Sequence, residues 1–116
     1  PFEAAGLPVH AWVHDHGIAT SLGFRFGPVS YANDVVALGD SAFEAMAGSE
    51  ILIVDAMRYR KHPTHAHLDL ALEWIERLKP RCAYLTNLHV DMDYDELDRR
   101  TPKHVVPCHD GLVIEA

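Results

Sequence analysis

Cysteine and long apolar runs are scarce in this sequence, and both absences narrow the class of protein. The only cysteines among the 116 residues are Cys82 and Cys108, too few for a disulfide framework and without the CxxC spacing of a zinc ribbon. We expect reduced thiols in a cytoplasmic protein. No apolar run approaches the roughly 20 residues of a membrane span, and no signal peptide pattern is present, so we expect no membrane contact.

Positive charge is scarce as well. Ten lysines and arginines stand against 17 aspartates and glutamates, which gives a formal net charge of −7 with neutral histidines. Such a chain lacks the basic surface with which proteins bind nucleic acid polymers. The charge does not exclude a small phosphorylated substrate or a nucleotide, because bound metal cations can dominate the field of a site.

Histidine, by contrast, is abundant. Nine histidines in 116 residues favour a functional site, since imidazole is the commonest metal ligand and titrates near neutral pH. For His10, His14 and His104 we prefer an interpretation as ordinary surface residues. The candidates for chemistry are His16, His65, His67 and His89.

Short apolar runs alternate with helical patterns, which predicts an α/β fold. The predicted strands are 9–13, 51–56 and 82–86, a hairpin of 21–26 and 29–32, and a closing pair of 105–107 and 112–115. The predicted helices are 68–78, 94–100 and a short one that Ser41 and Glu44 open as a capping box.

Clusters of polar residues lie at the ends of four of the predicted strands, at 14–17, at 33–34, at 55 with 58–67, and at 87–93. Sites in layered α/β proteins form at strand ends, because the rigid sheet fixes the loop residues there. Histidine and carboxylate ligands suit zinc, manganese or iron. An aspartate among them can bridge two cations, which activate water for displacement at phosphorus. The clusters therefore predict one shared metal site.

The order of these motifs resembles the second half of a metallo-β-lactamase-fold hydrolase. The motifs are WVHDHG, LGFRFG, YANDV, VDAMRYRKHPTHAHLDLALEWIERL, AYLTNLHVDMDY and HDGLVIE. Within that family the chain is similar to the branch that contains the cyclic phosphodiesterase of bacterial phosphonate breakdown, over nearly its whole length. The resemblance implies a four-layer αβ/βα sandwich, of which residues 1–116 form the second αβ half.

The resemblance further implies two divalent metal ions, zinc or manganese, with part of their ligands in this chain. Carried over by position, the first of these ligands is His16, the bridging aspartate is Asp34 and the last histidine is His89. Relatives often have histidine directly after the threonine, where this chain has Asn87. Residues two apart in an extended segment point the same way, so in our interpretation His89 replaces that ligand.

Roles around the metal ions are implied in the same way. The family's non-ligand histidine matches His65, which we expect to donate a proton to the leaving group. His67 and Arg58 are expected to contact a phosphate. Asp55 either orients a histidine or caps the following loop, and Asn87 is expected beside it.

One family motif, HxHxDH, supplies most of the metal ligands from the first half and is absent from this chain. With Pro1 in place of Met, this indicates a processed or truncated chain whose partner is the N-terminal half of the same protein. We expect a phosphodiesterase in which metal-activated hydroxide attacks a cyclic ribose phosphate or nucleotide-like ester, and the resemblance also implies a homodimer. Two alternatives stay open: a thioester or lactone hydrolase on the same fold, and a non-enzymatic α/β binding module.

Overall fold

The fold combines one seven-stranded sheet with three helices, in a computed structural model that describes residues 2–90 and 92–115. The strands are β1 (Phe2–Ala4), β2 (Leu7–Asp15), β3 (Thr20–Phe26), β4 (Val29–Ala32), β5 (Ile51–Asp55), β6 (Cys82–Thr86) and β7 (Val105–Pro107). The helices are α1 (Asp40–Met46), α2 (Leu68–Leu78) and α3 (Tyr94–Arg100). The predicted α/β class is confirmed.

The strands lie in the sheet in chain order. β1 to β4 form an antiparallel meander, whereas β4, β5, β6 and β7 are parallel. Each parallel connection contains one helix, as parallel neighbours require a crossover. Because β2 runs in the same direction as β4, the carboxyl ends of β2, β4, β5 and β6 all lie at one edge of the sheet.

One face of the sheet is covered by the helices. Neighbouring strands align a row of buried residues on this face: Ala32, Val54, Leu85 and Pro107. The helix α2 packs into the same core through apolar residues at helical spacing: Leu68, Ala71, Trp74 and Ile75. No helix in the described part of the chain is long and apolar enough to cross a membrane.

The opposite face, which we call the open face, carries apolar side chains that are only partly shielded. The adjacent row across the same parallel strands is partly exposed along its length: Tyr31, Ile53, Tyr84 and Val106. On β1 to β3 this face presents large apolar side chains that are 37% to 61% exposed: Phe2, Leu7, Val13, Leu22 and Phe26. Contiguous apolar surface of this kind marks an interaction site.

Most predicted elements are confirmed, and α2, α3 and β6 have the predicted bounds. The prediction of a strand at 112–115 is wrong, because β7 pairs in parallel with β6 and the later residues pair with no described strand. The capping box is also wrong. The helix α1 begins at Asp40 after Gly39, and no side chain caps it. The short β1 was not predicted, since three residues carry too little pattern.

Gly23 on β3 lies directly beneath the buried ring of Trp12 on β2. The two residues are paired in register, and an added Cβ at position 23 would overlap the Cε2 and Cζ2 atoms of the indole. Gly23→Ala must therefore displace a ring that is 5% exposed. We expect the free energy of unfolding to fall by roughly 1–3 kcal/mol, as measured by urea denaturation.

The matched control for this substitution is Gly39→Ser. Gly39 has φ −90°, and nothing lies within 4 Å of an added Cβ. Serine is also favoured at this helix-capping position, so we expect a change within about 0.5 kcal/mol. Equal stabilities of the two variants would contradict the close packing of Trp12 on Gly23.

Candidate metal site

Polar side chains from several strand ends meet at the carboxyl edge of the sheet. His16 follows β2, Asp34 follows β4, Asp55 ends β5 and Asn87 follows β6. His65 reaches the same edge from the loop between β5 and α2, through a hydrogen bond to Asp55. Ligands in open α/β sheets bind at this edge. The shared location follows from the common direction of these strands.

Asp34 has a left-handed backbone conformation, with φ 53°. Aspartate adopts this conformation more readily than most residues, and backbone strain of this kind is concentrated at functional sites. The Ser21 hydroxyl holds the turn by donating to the Asp34 carbonyl oxygen at 2.7 Å. The Asp34 side chain is 52% exposed, so its carboxylate is accessible to a cation.

The ring of His16 is oriented by a backbone carbonyl group. Its Nδ1–H donates to the Thr64 carbonyl oxygen at 2.6 Å. Because a carbonyl oxygen can only accept, the proton lies on Nδ1, and Nε2 of the neutral ring keeps its lone pair. Metal-binding histidines commonly have this arrangement. The ring also packs edge-on against His65, with the centroids 4.9 Å apart.

His65 is oriented by a buried carboxylate. Its Nδ1–H donates to Asp55 Oδ2 at 2.7 Å, and Asn87 Nδ2 donates to Asp55 Oδ1 at 3.3 Å. Asp55 is 0% exposed. Burial raises the pKa of its carboxyl group, while the hydrogen bond from His65 opposes that shift. The sequence left the role of Asp55 open, and the structure shows it bonded to His65, which leaves His65 Nε2 for the site.

Three side chains converge so that each places one ligand atom within 4.8 Å of the other two: His16, Asp34 and His65. Within residues 2–90 and 92–115, no other three or more histidine, cysteine or acidic side chains converge closely enough to hold a metal ion. Two imidazoles and a carboxylate suit zinc or manganese. A catalytic zinc takes three protein ligands and keeps an open position for water or substrate. The donor set therefore fits one divalent cation, and a second cation would need further ligands.

His89 does not belong to this group. Its side chain is exposed and lines a separate cavity of about 200 Å³ with Arg58, Tyr59 and Arg60. Its backbone N–H donates to the Met57 carbonyl oxygen at 2.8 Å. The structure thus groups His65, rather than His89, with the two other ligands that the sequence suggested.

Arg58 and His67, the residues expected to contact a phosphate, are neighbours across a short backbone bridge. The Arg58 guanidinium donates from Nε to the Arg60 carbonyl oxygen at 3.1 Å and from Nη2 to the Lys61 carbonyl oxygen. These bonds fix the loop between β5 and α2. They also leave only the other guanidinium N–H groups for a phosphate.

His62 had no role in the sequence interpretation, but it lies at the site. Its ring packs edge-on against His65, with the centroids 5.3 Å apart. The Thr64 backbone N–H donates to His62 Nδ1 at 3.1 Å, so the proton of the neutral ring lies on Nε2. The only signal in the sequence was its position three residues before His65, which by itself does not predict a contact between the two rings.

Known proteins that resemble the chain share this fold. A family model described as "Beta-lactamase superfamily domain" matches residues 1–88. A solved structure described as a new diphosphatase from the PhnP family is 32% identical, with a TM-score of 0.93 over 99% of this chain. The metallo-β-lactamase fold protein YhfI from Bacillus subtilis is 17% identical, with a TM-score of 0.78 over 99% of this chain. The short form of human tRNase Z is 18% identical, with a TM-score of 0.73 over 98% of this chain. The last two show likeness of fold alone.

The chain covers only part of each of these proteins. It spans 46% of the PhnP-family chain, 52% of YhfI and 45% of tRNase Z. A curated octanoyltransferase of Porphyromonas gingivalis is 27% identical over 115 residues, which are 97% of this chain and 23% of that protein. The matched proteins are therefore about twice as long as this chain or longer.

Proposed function

Because the chain belongs to the beta-lactamase superfamily domain family and has its metallo-β-lactamase fold, we propose that it forms the C-terminal half of a metal-dependent phosphodiesterase. The observation that carries the proposal is the convergence of His16, Asp34 and His65 within 4.8 Å. The solved relative at 32% identity is described as a diphosphatase, which supports chemistry at phosphorus. The proposed substrate is a cyclic ribose phosphate or a nucleotide-like ester.

In this proposal the site holds two divalent cations, zinc or manganese. His16 and Asp34 would hold these cations, and the Asp34 carboxylate, as the bridging ligand that the family order implies, would offset the repulsion between them. The last ligand is His89, as the family order implies, with His65 as the alternative that the distances favour. The remaining ligands come from an HxHxDH motif in the N-terminal half.

The residues of this chain then position the substrate and move one proton. When bound, the cations supply an activated water and neutralise charge on the phosphoryl oxygens. Asp55 holds His65 so that Nε2 faces the leaving-group oxygen, and the carboxylate stabilises the protonated ring. His65 gives its Nε2 proton to the departing alkoxide. His67 and the remaining N–H groups of Arg58 bind phosphoryl oxygens.

The open face is the proposed contact with the N-terminal half of the same protein. Its exposed apolar side chains on β1 to β3 suit sheet-on-sheet packing, in which two apolar faces lie about 10 Å apart. The chain spans 46% of the PhnP-family structure, which leaves room for such a half. A cytoplasmic location and a homodimer complete the proposal. Both cysteines are free in the structure.

Hydrolysis of a thioester or lactone is the rival chemistry on this fold. The name of the Porphyromonas gingivalis relative describes acyl transfer, but the match covers only 23% of that protein. The name therefore gives no ground for acyl chemistry in this chain.

The two chemistries are separated by substrate comparison with the full-length, metal-loaded protein. We expect turnover of bis(4-nitrophenyl) phosphate, little turnover of an acyl thioester, loss of activity with a chelator and recovery with zinc or manganese. Preferential thioester hydrolysis would replace the phosphodiesterase proposal. A folded protein that holds no metal after dialysis and hydrolyses neither substrate would be a binding module.

A further inference from the structure

A cavity of about 470 Å³ opens beside the metal site, at the start of α2. Cavities of roughly 300–1,000 Å³ hold small ligands in other proteins. His62 lines this cavity and packs against His65, so one imidazole contacts both the cavity and the metal-binding group. A substrate with one end at the metal site has room here for its other end.

One part of the cavity lining is basic and comes from the loop before α2: Lys61, His62 and His67. His62 accepts the Thr64 N–H on Nδ1, so the neutral ring offers its Nε2–H as a donor. Ammonium and imidazole N–H groups are suitable donors for phosphoryl oxygens. Of these basic residues, His62 adjoins the metal site, because its ring contacts His65.

Another part of the lining is acidic and comes from α2: Asp69 and Glu73. Both are exposed residues on α2, four positions apart and therefore on one side of the helix. Within residues 2–90 and 92–115, neither side chain has a hydrogen bond or an ion pair. Their carboxylate oxygens repel a phosphate but accept hydrogen bonds from hydroxyl groups. The lining thus combines basic groups from the loop before α2 with carboxylates from α2 itself.

We propose that Asp69 and Glu73 bind hydroxyl groups on the alcohol portion of the substrate, which makes the enzyme selective for phosphodiesters of polyhydroxylated alcohols. The inference rests on the proposed phosphodiesterase function and adds the part of the substrate that is recognised. The basic groups favour a phosphate near His62, which contacts His65 of the metal-binding group, whereas a phosphate beside α2 would be repelled by two carboxylates. Leu70, which also lines the cavity, contributes apolar contact for the carbon skeleton.

The test uses two diesters that differ only in hydroxyl groups, 4-nitrophenyl glyceryl phosphate and 4-nitrophenyl propyl phosphate, with the full-length, metal-loaded protein. We expect kcat/KM to favour the glyceryl ester by roughly tenfold, as expected for hydrogen bonds to charged acceptors. The double variant Asp69→Ala with Glu73→Ala should bring this ratio close to one. Both side chains are exposed, so folding should be retained, and circular dichroism checks it.

The matched control is Glu76→Ala, one turn further along α2. Glu76 is exposed but does not line the cavity, so its loss should leave the ratio of the two substrates unchanged. Hydrolysis of both diesters at equal efficiency by the wild type overturns the selectivity and leaves the phosphodiesterase intact. An equal loss of preference in Glu76→Ala also overturns it, since a general charge effect would then explain the result. Hydrolysis of neither diester overturns both proposals.

Discussion

Asp34→Asn in the full-length protein is expected to lose bound metal and hydrolytic activity together. The amide keeps the size of the side chain and tolerates the left-handed backbone at φ 53°, so the fold should be retained. It removes the negative charge that would offset the repulsion between two cations. A bound metal supplies several kcal/mol of charge stabilisation in the transition state, so we expect kcat/KM to fall by about 10³-fold or more. Elemental analysis and turnover of bis(4-nitrophenyl) phosphate measure the two effects.

Asp40→Asn is the matched control for this charge removal. Asp40 is 94% exposed at the start of α1 and lies 3.9 Å from Arg77, away from the metal-binding group. We expect wild-type metal content and activity, because an exposed ion pair contributes little. Full metal stoichiometry together with full turnover in Asp34→Asn would refute the bridging role of Asp34.

The location of the site could be predicted largely from the ends of strands. Asp34 follows the second strand of the predicted hairpin, and Asp55 closes an apolar run that reads as a buried strand, which is typical of parallel sheets. Since parallel neighbours all end at the same edge, the meeting of these side chains follows from chain order once the strands are recognised. The helix α2 could also be predicted from the sequence, because its apolar residues recur at helical spacing and Pro80 ends the pattern.

The burial of single polar residues could not be predicted. We interpreted His14 as a surface residue, but it is 4% exposed. Trp12 Nε1–H donates to its Nδ1 at 3.1 Å, and its Nε2–H donates to the Asn33 carbonyl oxygen at 3.0 Å. Burial lowers the pKa of His14, which favours the neutral ring that these bonds require. A histidine on an alternating strand has the same pattern whether it faces helices or water.

The ends of the elements depend on partners that are remote in sequence. Residues 112–115 alternate like a strand, but no described strand pairs with them. At α1 the Ser41 and Glu44 pattern lies inside the helix, because the helix begins one residue earlier. A capping motif only favours a helix start at a given residue. The position of this short helix also depends on the packing of Phe43 and Met46 into the core.

The distances between side chains on different loops also could not be predicted from the sequence. The family order suggested His89 as a ligand and His65 as a proton donor, but motif order does not state which side chain approaches Asp34. In the structure His65 Nδ1 lies 3.9 Å from Asp34 Oδ1, yet this nitrogen already donates to Asp55. The hydrogen bond favours a role for His65 through Nε2, either as a proton donor or as a ligand. These two roles predict different results on substitution.

His65→Asn is expected to reduce turnover in a way that depends on the leaving group. If His65 protonates the leaving alkoxide, the loss is about 10²- to 10⁴-fold for a dialkyl phosphodiester. It is much smaller for bis(4-nitrophenyl) phosphate, because nitrophenolate is a weak base that leaves without a proton. We expect this unequal loss together with unchanged metal content, as measured by steady-state kinetics on both esters and by elemental analysis. Asp55→Asn should show the same dependence on the leaving group, since it weakens the support of the protonated ring.

His10→Asn is the matched control, because it replaces a histidine by asparagine away from the site. His10 is exposed on β2, outside the group of converging side chains, and its substitution should leave both esters and the metal content unaffected. If His65 is instead a metal ligand, His65→Asn lowers metal content and slows both esters by similar factors. That result would move His65 into the ligand set beside His16 and Asp34, and the leaving group would then need another proton donor. His62 is the nearest candidate outside the ligand set, because its ring lies against His65, and it would have to be protonated to act as the donor.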